Sequence, residues 1–318
     1  MAVPQIQPRL FPLPIEERKQ FQDHQKTITR RVSCKGIGVH SGAPVTLSLS
    51  PTLPGSGITF VRTDLGGKEI KANWQTVVDT RLCTIIGDNQ GVTVSTIEHL
   101  MAALAAQGID NLLIEINGPE LPIMDGSSSF FVRLLEKAGI KDQRIPRKVI
   151  RVLKSVSVEE EGRKVSLSPS PFYEIEVNFD FAGRTALKSQ NLVFRPLRDN
   201  FTKDIAFART FGLLQDAETL WAMGFAKGAS LDNTLVYEGT TVLNEEGTRY
   251  EDECVRHKIL DVMGDLHLSG GLLLGKFHGI RPGHGLHHKL LLALFNDPTA
   301  WTSETNEPSL LKRVASFH

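Results

Sequence analysis

The order of predicted elements makes this chain an α+β protein, built as layers of strands and helices and not as a doubly wound parallel sheet. Three observations lead there. A run of short β-branched strands precedes the first helical pattern; the same order begins again after a charged stretch, Lys141–Lys148, that contains Pro146; and no G-x-G-x-x-G loop or short-period repeat is present. With 41% hydrophobic residues among 318, the chain can bury a substantial core.

Residues 1–26, with Pro4, Pro8, Pro12 and Pro14 and the charged run Glu16–Lys19, read as a mobile leader and not as a secretory signal. Segments Ile28–Ser33, Val45–Leu49 and Ile58–Thr63 then read as strands between Gly and Pro punctuation. Helical spacing first appears at Thr96, with Ile97, Leu100, Met101 and Leu104 on one face and Gly108 as the stop. Strand Leu112–Ile116 and helix Ser128–Ala138 close the first half. The Lys141–Lys148 stretch reads as a linker. Beyond it lie strands Lys148–Leu153, Lys164–Leu167 and Tyr173–Phe179, then helical segments near Phe201–Ala208, Ala217–Met223 and Asp252–Leu268. Strand Leu272–His278 and helix Leu286–Asn296 end the second half, and residues 298–318 form a tail.

Charge and cysteine content exclude several functions. Lysine plus arginine equals aspartate plus glutamate at 36 each, so no overall field attracts nucleic acid, and no partner of that kind is expected. Cys34, Cys83 and Cys254 are odd in number and far apart, which suits reduced thiols in a cytoplasm and excludes a thiolate zinc cage. The strongest candidate for a span, Leu290–Phe295 beside Leu286, falls far short of the roughly 20 residues of a spanning helix.

Three segments carry chemistry. On a helix, His257, Asp261 and Asp265 at i, i+4 and i+8 form one polar stripe opposite Val255, Ile259, Val262, Met263 and Leu266. That stripe fits either a solvated His/Asp face or a cation site, with an imidazole and a carboxylate one turn apart. In Ser95-Thr96-Ile97-Glu98-His99-Leu100, Glu98 has capping-box spacing from Ser95, yet adjacent Glu and His can also set a metal ligand beside a carboxylate base. In Gly283-His284-Gly285 the glycines permit unusual backbone angles or close ligand approach. Nearby His278, His287 and His288 offer a rival cluster or plain surface histidines.

Taken with Gly36-Ile37-Gly38-Val39-His40-Ser41-Gly42, Asp79–Thr84, Gly108–Asn111, Pro122–Ser128 and Ala208–Gly212, these segments resemble the UDP-3-O-acyl-N-acetylglucosamine deacetylases of Gram-negative bacteria, from about Thr27 to about Asn296. The resemblance implies two similar layered α/β-sandwich domains with small inserts, residues 27–147 and 148–297, with the active site in the cleft between them. It implies zinc on His99, His257 and Asp261, with iron(II) as an alternative. Glu98 would be the general base and His284 the general acid, with Asp265 orienting His284, Thr210 stabilising an oxyanion and Lys258 adding positive charge. An insert near residues 212–237 would hold the acyl chain, with Leu213 and Leu220 in its lining. Phe211 would pack on the sugar and Phe181 on uracil, although Ala182–Ala186 departs from the His-Pro segment common in relatives. The implied partner is a UDP-linked acylated N-acetylglucosamine, and the implied state is a cytoplasmic monomer without stable membrane insertion.

Overall fold

The computed structural model describes residues 24–305 and contains two large sheets with helices layered on them. The first sheet has the order β2 (Val32–Ile37), β3 (Pro44–Pro51), β9 (Leu112–Ile116), β4 (Ile58–Arg62) and β5 (Lys68–Lys71). Alternation in β9, with Leu112, Ile114 and Ile116 buried, turns one face of that central strand to the core. The second sheet runs β12 (Val156–Glu160), β13 (Arg163–Ser168), β19 (Leu272–Ile280), β11 (Lys148–Val152) and β20 (Trp301–Thr305), with β14 (Tyr173–Phe179) joining β19 to β15 (Gln190–Phe194). Three small sheets complete the set: β1 (His24–Ile28) with β10 (Ile140–Pro146); β6 (Val77–Asp79), β7 (Ile85–Gly87) and β8 (Thr93–Val94); and β16 (Phe211–Leu213), β17 (Leu235–Glu238) and β18 (Thr241–Val242).

Helix α1 (Glu98–Gln107) is buried over its first seven residues, on every side of the helix. Such a helix must lie between other elements, and α1 packs against α2 (Ser129–Ala138) and α5 (Glu253–Leu266). Gly108, at φ +68°, ends α1 in the left-handed region, and the amides of Gly108 and Ile109 close its last carbonyls. Helix α5 also contacts β14 and α6 (His284–Asn296), while α6 lies on β12. The short helices α3 (Phe201–Asp204) and α4 (Ala217–Ala222) lie in the segment between the second sheet and α5.

Several sequence expectations are corrected. The supposed linker Lys141–Lys148 is largely strand: β10 pairs antiparallel with β1, and Pro146 sits at its end, where a missing N–H costs little. The leader therefore gives way to strand at His24, before its expected end at residue 26, while residues 1–23 lie outside the described residues. Ile28–Ser33 is not one strand, because the chain breaks between β1 and β2. The expected tail begins inside the fold: Ala300 is fully buried, and β20 pairs with β11 along its length. Residues 306–318 lie outside the described residues. Strands β12 and β15 were not expected from their patterns, since pairing with distant partners creates them.

Candidate functional site

The capping box that the Ser95–Glu98 spacing allows does not form. Ser95 Oγ donates to the Pro119 carbonyl, and α1 starts after Ile97 without a side-chain cap. Thr96 takes φ +58°, a left-handed conformation that is costly for a β-branched residue, on the order of 1–3 kcal/mol. Glu120 holds it there, accepting from Thr96 Oγ1 at 3.1 Å and from the His40 and Ser41 amides at 2.8 Å each. The sharp entry leaves Glu98 and His99 buried on the first turn of α1.

Opposite them, the polar stripe of α5 is not a solvated face. His257, Asp261 and Asp265 are all buried. His257 Nδ1 donates to the Ala208 carbonyl at 3.0 Å, which fixes the tautomer and leaves Nε2 open, 3.4 Å from Asp261 Oδ1. Donor atoms of His99, His257 and Asp261 lie within 4.8 Å of one another. Asp261 Oδ2 accepts from Lys258 Nζ at 2.8 Å, while the buried Oδ1 has no hydrogen-bond partner among the described residues. An orphaned buried carboxylate oxygen is costly unless a cation meets it.

Protonation states favour a metal. Burial pushes the His99 imidazole down to about 3, with His257 adding to the effect. Burial also lowers His257, against the opposing pull of Asp261. For Asp261, burial works against ionisation, but Lys258 and His257 outweigh it and hold the carboxyl well below its usual range. Two neutral imidazoles and an ionised carboxylate are the forms that ligate a divalent ion, so the residues present fit one.

A second cluster, Asp265, His284 and His287, also has donor atoms within 4.8 Å, but its carboxylate is already satisfied. Asp265 Oδ2 accepts from Nδ1 of both His284 and His287 at 2.7 Å, and Oδ1 accepts from Thr84 Oγ1 at 2.5 Å. Burial alone would lower His284, yet Asp265 and then Glu98 raise it to about 9. Glu98 is raised to about 8 by burial, partly offset by His284. Its Oε2 accepts from the Thr84 amide at 3.1 Å, and Oε1 lies 3.9 Å from His284 Nε2. A carboxyl and an imidazole that both titrate above neutrality thus flank the His/His/Asp cluster. The glycines beside His284 do not supply a left-handed turn, since Gly283 is extended at φ −171°. Nor do His278, His287 and His288 form the rival cluster: His278 bonds Asn178, His288 bonds the Trp74 carbonyl, and His287 is fully buried beneath Asp265.

From Glu98 and His99 a cavity of about 420 Å³ extends along Thr210 and Phe211 to Leu213, Leu220 and Trp221. Lys258 Nζ lies 5.3 Å from the Phe211 ring centroid. Phe181 does not line this cavity; it packs edge-on against Phe211, Phe179 and Tyr237.

Sequence reasoning gave no holding role to the residues that fix the functional groups. Thr84, Glu120 and His287 act through long-range hydrogen bonds without a local pattern. Gly264 had a signal, being a glycine inside a strong helical pattern. A Cβ there would meet the Glu98 carbonyl oxygen at 2.1 Å, so α5 approaches α1 closely at the site.

The model of the family described as UDP-3-O-acyl N-acetylglycosamine deacetylase matches residues 25–296. Among proteins named UDP-3-O-acyl-N-acetylglucosamine deacetylase, one from Myxococcus xanthus is 44% identical over 279 residues, covering 87% of this chain and 88% of its own. One from Tolumonas auensis is 43% identical over 296 residues, covering 92% and 96%. A third, from Shewanella baltica, is 44% identical over 279 residues, covering 87% and 91%.

Proposed function

Because the chain belongs to the family of UDP-3-O-acyl-N-acetylglucosamine deacetylases, we propose that it hydrolyses the N-acetyl group of UDP-3-O-(3-hydroxyacyl)-N-acetylglucosamine. Acetate is released, and the step commits the sugar to lipid A. The observation that carries this reading is the His99/His257/Asp261 cluster, with Glu98 and His284 on its flank and an apolar cavity leading away.

His99, His257 and Asp261 would hold zinc, and iron(II) suits the same His/His/Asp set. When bound, the ion supplies Lewis acidity, lowering the pKa of water and polarising a carbonyl. Glu98, buried at the mouth of α1, accepts the proton of the attacking water. The Thr210 hydroxyl donates to the oxygen on which charge develops, and the Lys258 ammonium adds positive potential. His284, kept cationic by Asp265, gives its proton to the departing nitrogen as the C–N bond breaks. The products are acetate and the free amine, with no covalent enzyme intermediate. Asp265 orients His284 through the Nδ1 hydrogen bond.

Leu213 and Leu220 line the cavity and would receive the acyl chain from the insert at residues 212–237. Support for such an insert comes from β16–β18, a small sheet apart from the two large ones. Phe211 would pack on the sugar. Phe181 remains the proposed platform for uracil, in a cluster that includes Phe211. We read residues 27–147 and 148–297, widened by β1 from His24 and by β20 through Thr305, as two similar sandwich domains with the site in their cleft; each half pairs a large sheet with helices, and α1 meets α5 between them. Every proposed site residue comes from one chain, so a monomer suffices. A cytoplasmic location is supported by three unpaired cysteines. No helix among the described residues is long and apolar enough to cross a membrane.

Incubating the protein with the acylated UDP-N-acetylglucosamine and measuring acetate and free amine tests this reading. Equal amounts of both are expected, and neither should form with Glu98→Ala.

A further inference from the structure

A second cavity, of about 260 Å³, lies at the C-terminal ends of α1 and α5, away from Glu98 and His99 at the start of α1. Its walls are mostly apolar, including Leu197, Met263 and Leu266, but Arg147, Tyr173 and His267 also line it. Arg147 is 4% exposed. Its Nε donates to Asp110 Oδ1 at 2.7 Å, and Asp110 also accepts from the Lys26 amide at 3.0 Å. The two terminal nitrogens of the guanidinium make no hydrogen bond among the described residues, and neither does the Tyr173 hydroxyl. Both residues line the cavity, and these atoms are not sealed in protein.

A guanidinium needs several acceptors, and one ion pair through Nε leaves the end-on pair of amino groups free. At the end of α1 the Ala105 and Leu104 carbonyls are taken by the Gly108 and Ile109 amides. His267 is tied to the Ile109 carbonyl through Nε2 at 3.3 Å. A charged fork in a cavity with mostly apolar walls matches an anionic head on an apolar body.

We propose that this cavity is a binding site for a small organic monocarboxylate, with the carboxylate on the terminal nitrogens of Arg147 and the apolar body against Leu197, Met263 and Leu266. Planar carboxylates match the end-on guanidinium geometry, whereas a neutral amide of the same shape loses the charge-assisted bonds.

Methyl-¹³C-methionine NMR of the metal-loaded protein tests this, with octanoate and octanamide as probes. Met263 lines the new cavity, and Met223 follows α4, whose Leu220 and Trp221 line the catalytic cavity. Octanoate should shift Met263 saturably, with octanamide weaker by about tenfold or more. Arg147→Gln should weaken octanoate by a similar factor, and Leu197→Trp, which leaves the Arg147–Asp110 pair intact, should block the Met263 response. An unmoved Met263, a response confined to Met223, equal shifts by both probes, or an unchanged response in Leu197→Trp would each overturn the proposal.

Discussion

Gly264 of α5 lies so close to Glu98 of α1 that a Cβ at Gly264 would sit 2.1 Å from the Glu98 carbonyl oxygen. The approach aligns His99 on one helix with His257 and Asp261 on the other. Gly264→Ala must push the helices apart, and overpacking of this kind costs about 1–3 kcal/mol. We expect a lower unfolding midpoint together with weaker metal binding, measured by denaturant titration and by competition with a chelator. Unchanged affinity would mean that the close approach does not set the ligand geometry.

Glu98 and His284 are assigned the two proton transfers. Glu98→Ala and His284→Ala should retain metal and lose activity by roughly two to four orders of magnitude. Glu98, raised to about 8, and His284, raised to about 9, are both protonated at neutral pH, so the rate should rise as Glu98 ionises and fall as His284 loses its proton. Asp265 is the main group raising His284; Asp265→Asn should therefore move the alkaline limb to lower pH. A limb that stays in place in both Asp265→Asn and His284→Ala belongs to another group.

The apolar cavity reads as an acyl site. Each buried methylene contributes about 0.8 kcal/mol, so a substrate without the 3-O-acyl group should have a far lower kcat/KM. Leu220→Asp should impair the acylated substrate selectively. Equal specificity constants for acylated and unacylated substrates would remove the acyl-site reading while leaving hydrolysis untouched.

His267 links stability to pH. Burial, with Arg147 adding to it, lowers its pKa from 6.5 to about 4. The unfolded chain therefore binds this proton first, so stability is full above 6.5 and falls as pH drops toward 4. Wild type should lose on the order of 2 kcal/mol more than His267→Gln across that window, read from urea unfolding at several pH values. Parallel curves for the two proteins would exclude the histidine as the cause.

The i, i+4 spacing of His257 and Asp261 and the adjacent Glu98 and His99 were legible because helix geometry is local. The stripe's burial was not. It depends on α1 packing over α5, which no local pattern records, and residues whose spacing fits a solvated face as well as a cation site share a buried cluster. Strand β10 looked like a linker because its alternation is weak and its partner β1 lies more than a hundred residues earlier. His287 looked like surface, since only the distant carboxylate of Asp265 gives it a reason to be inside. The α+β order was readable because strands and helices differ in hydrophobic period.

Metal dependence is the centre of the account. Acetate release from the acylated UDP-sugar should vanish in chelator-stripped protein and return on adding one equivalent of zinc, and the stripped His99→Ala, His257→Ala and Asp261→Ala proteins should neither bind that equivalent nor recover. Undiminished acetate release from protein shown to be metal-free, or full zinc occupancy in all three variants, would contradict it.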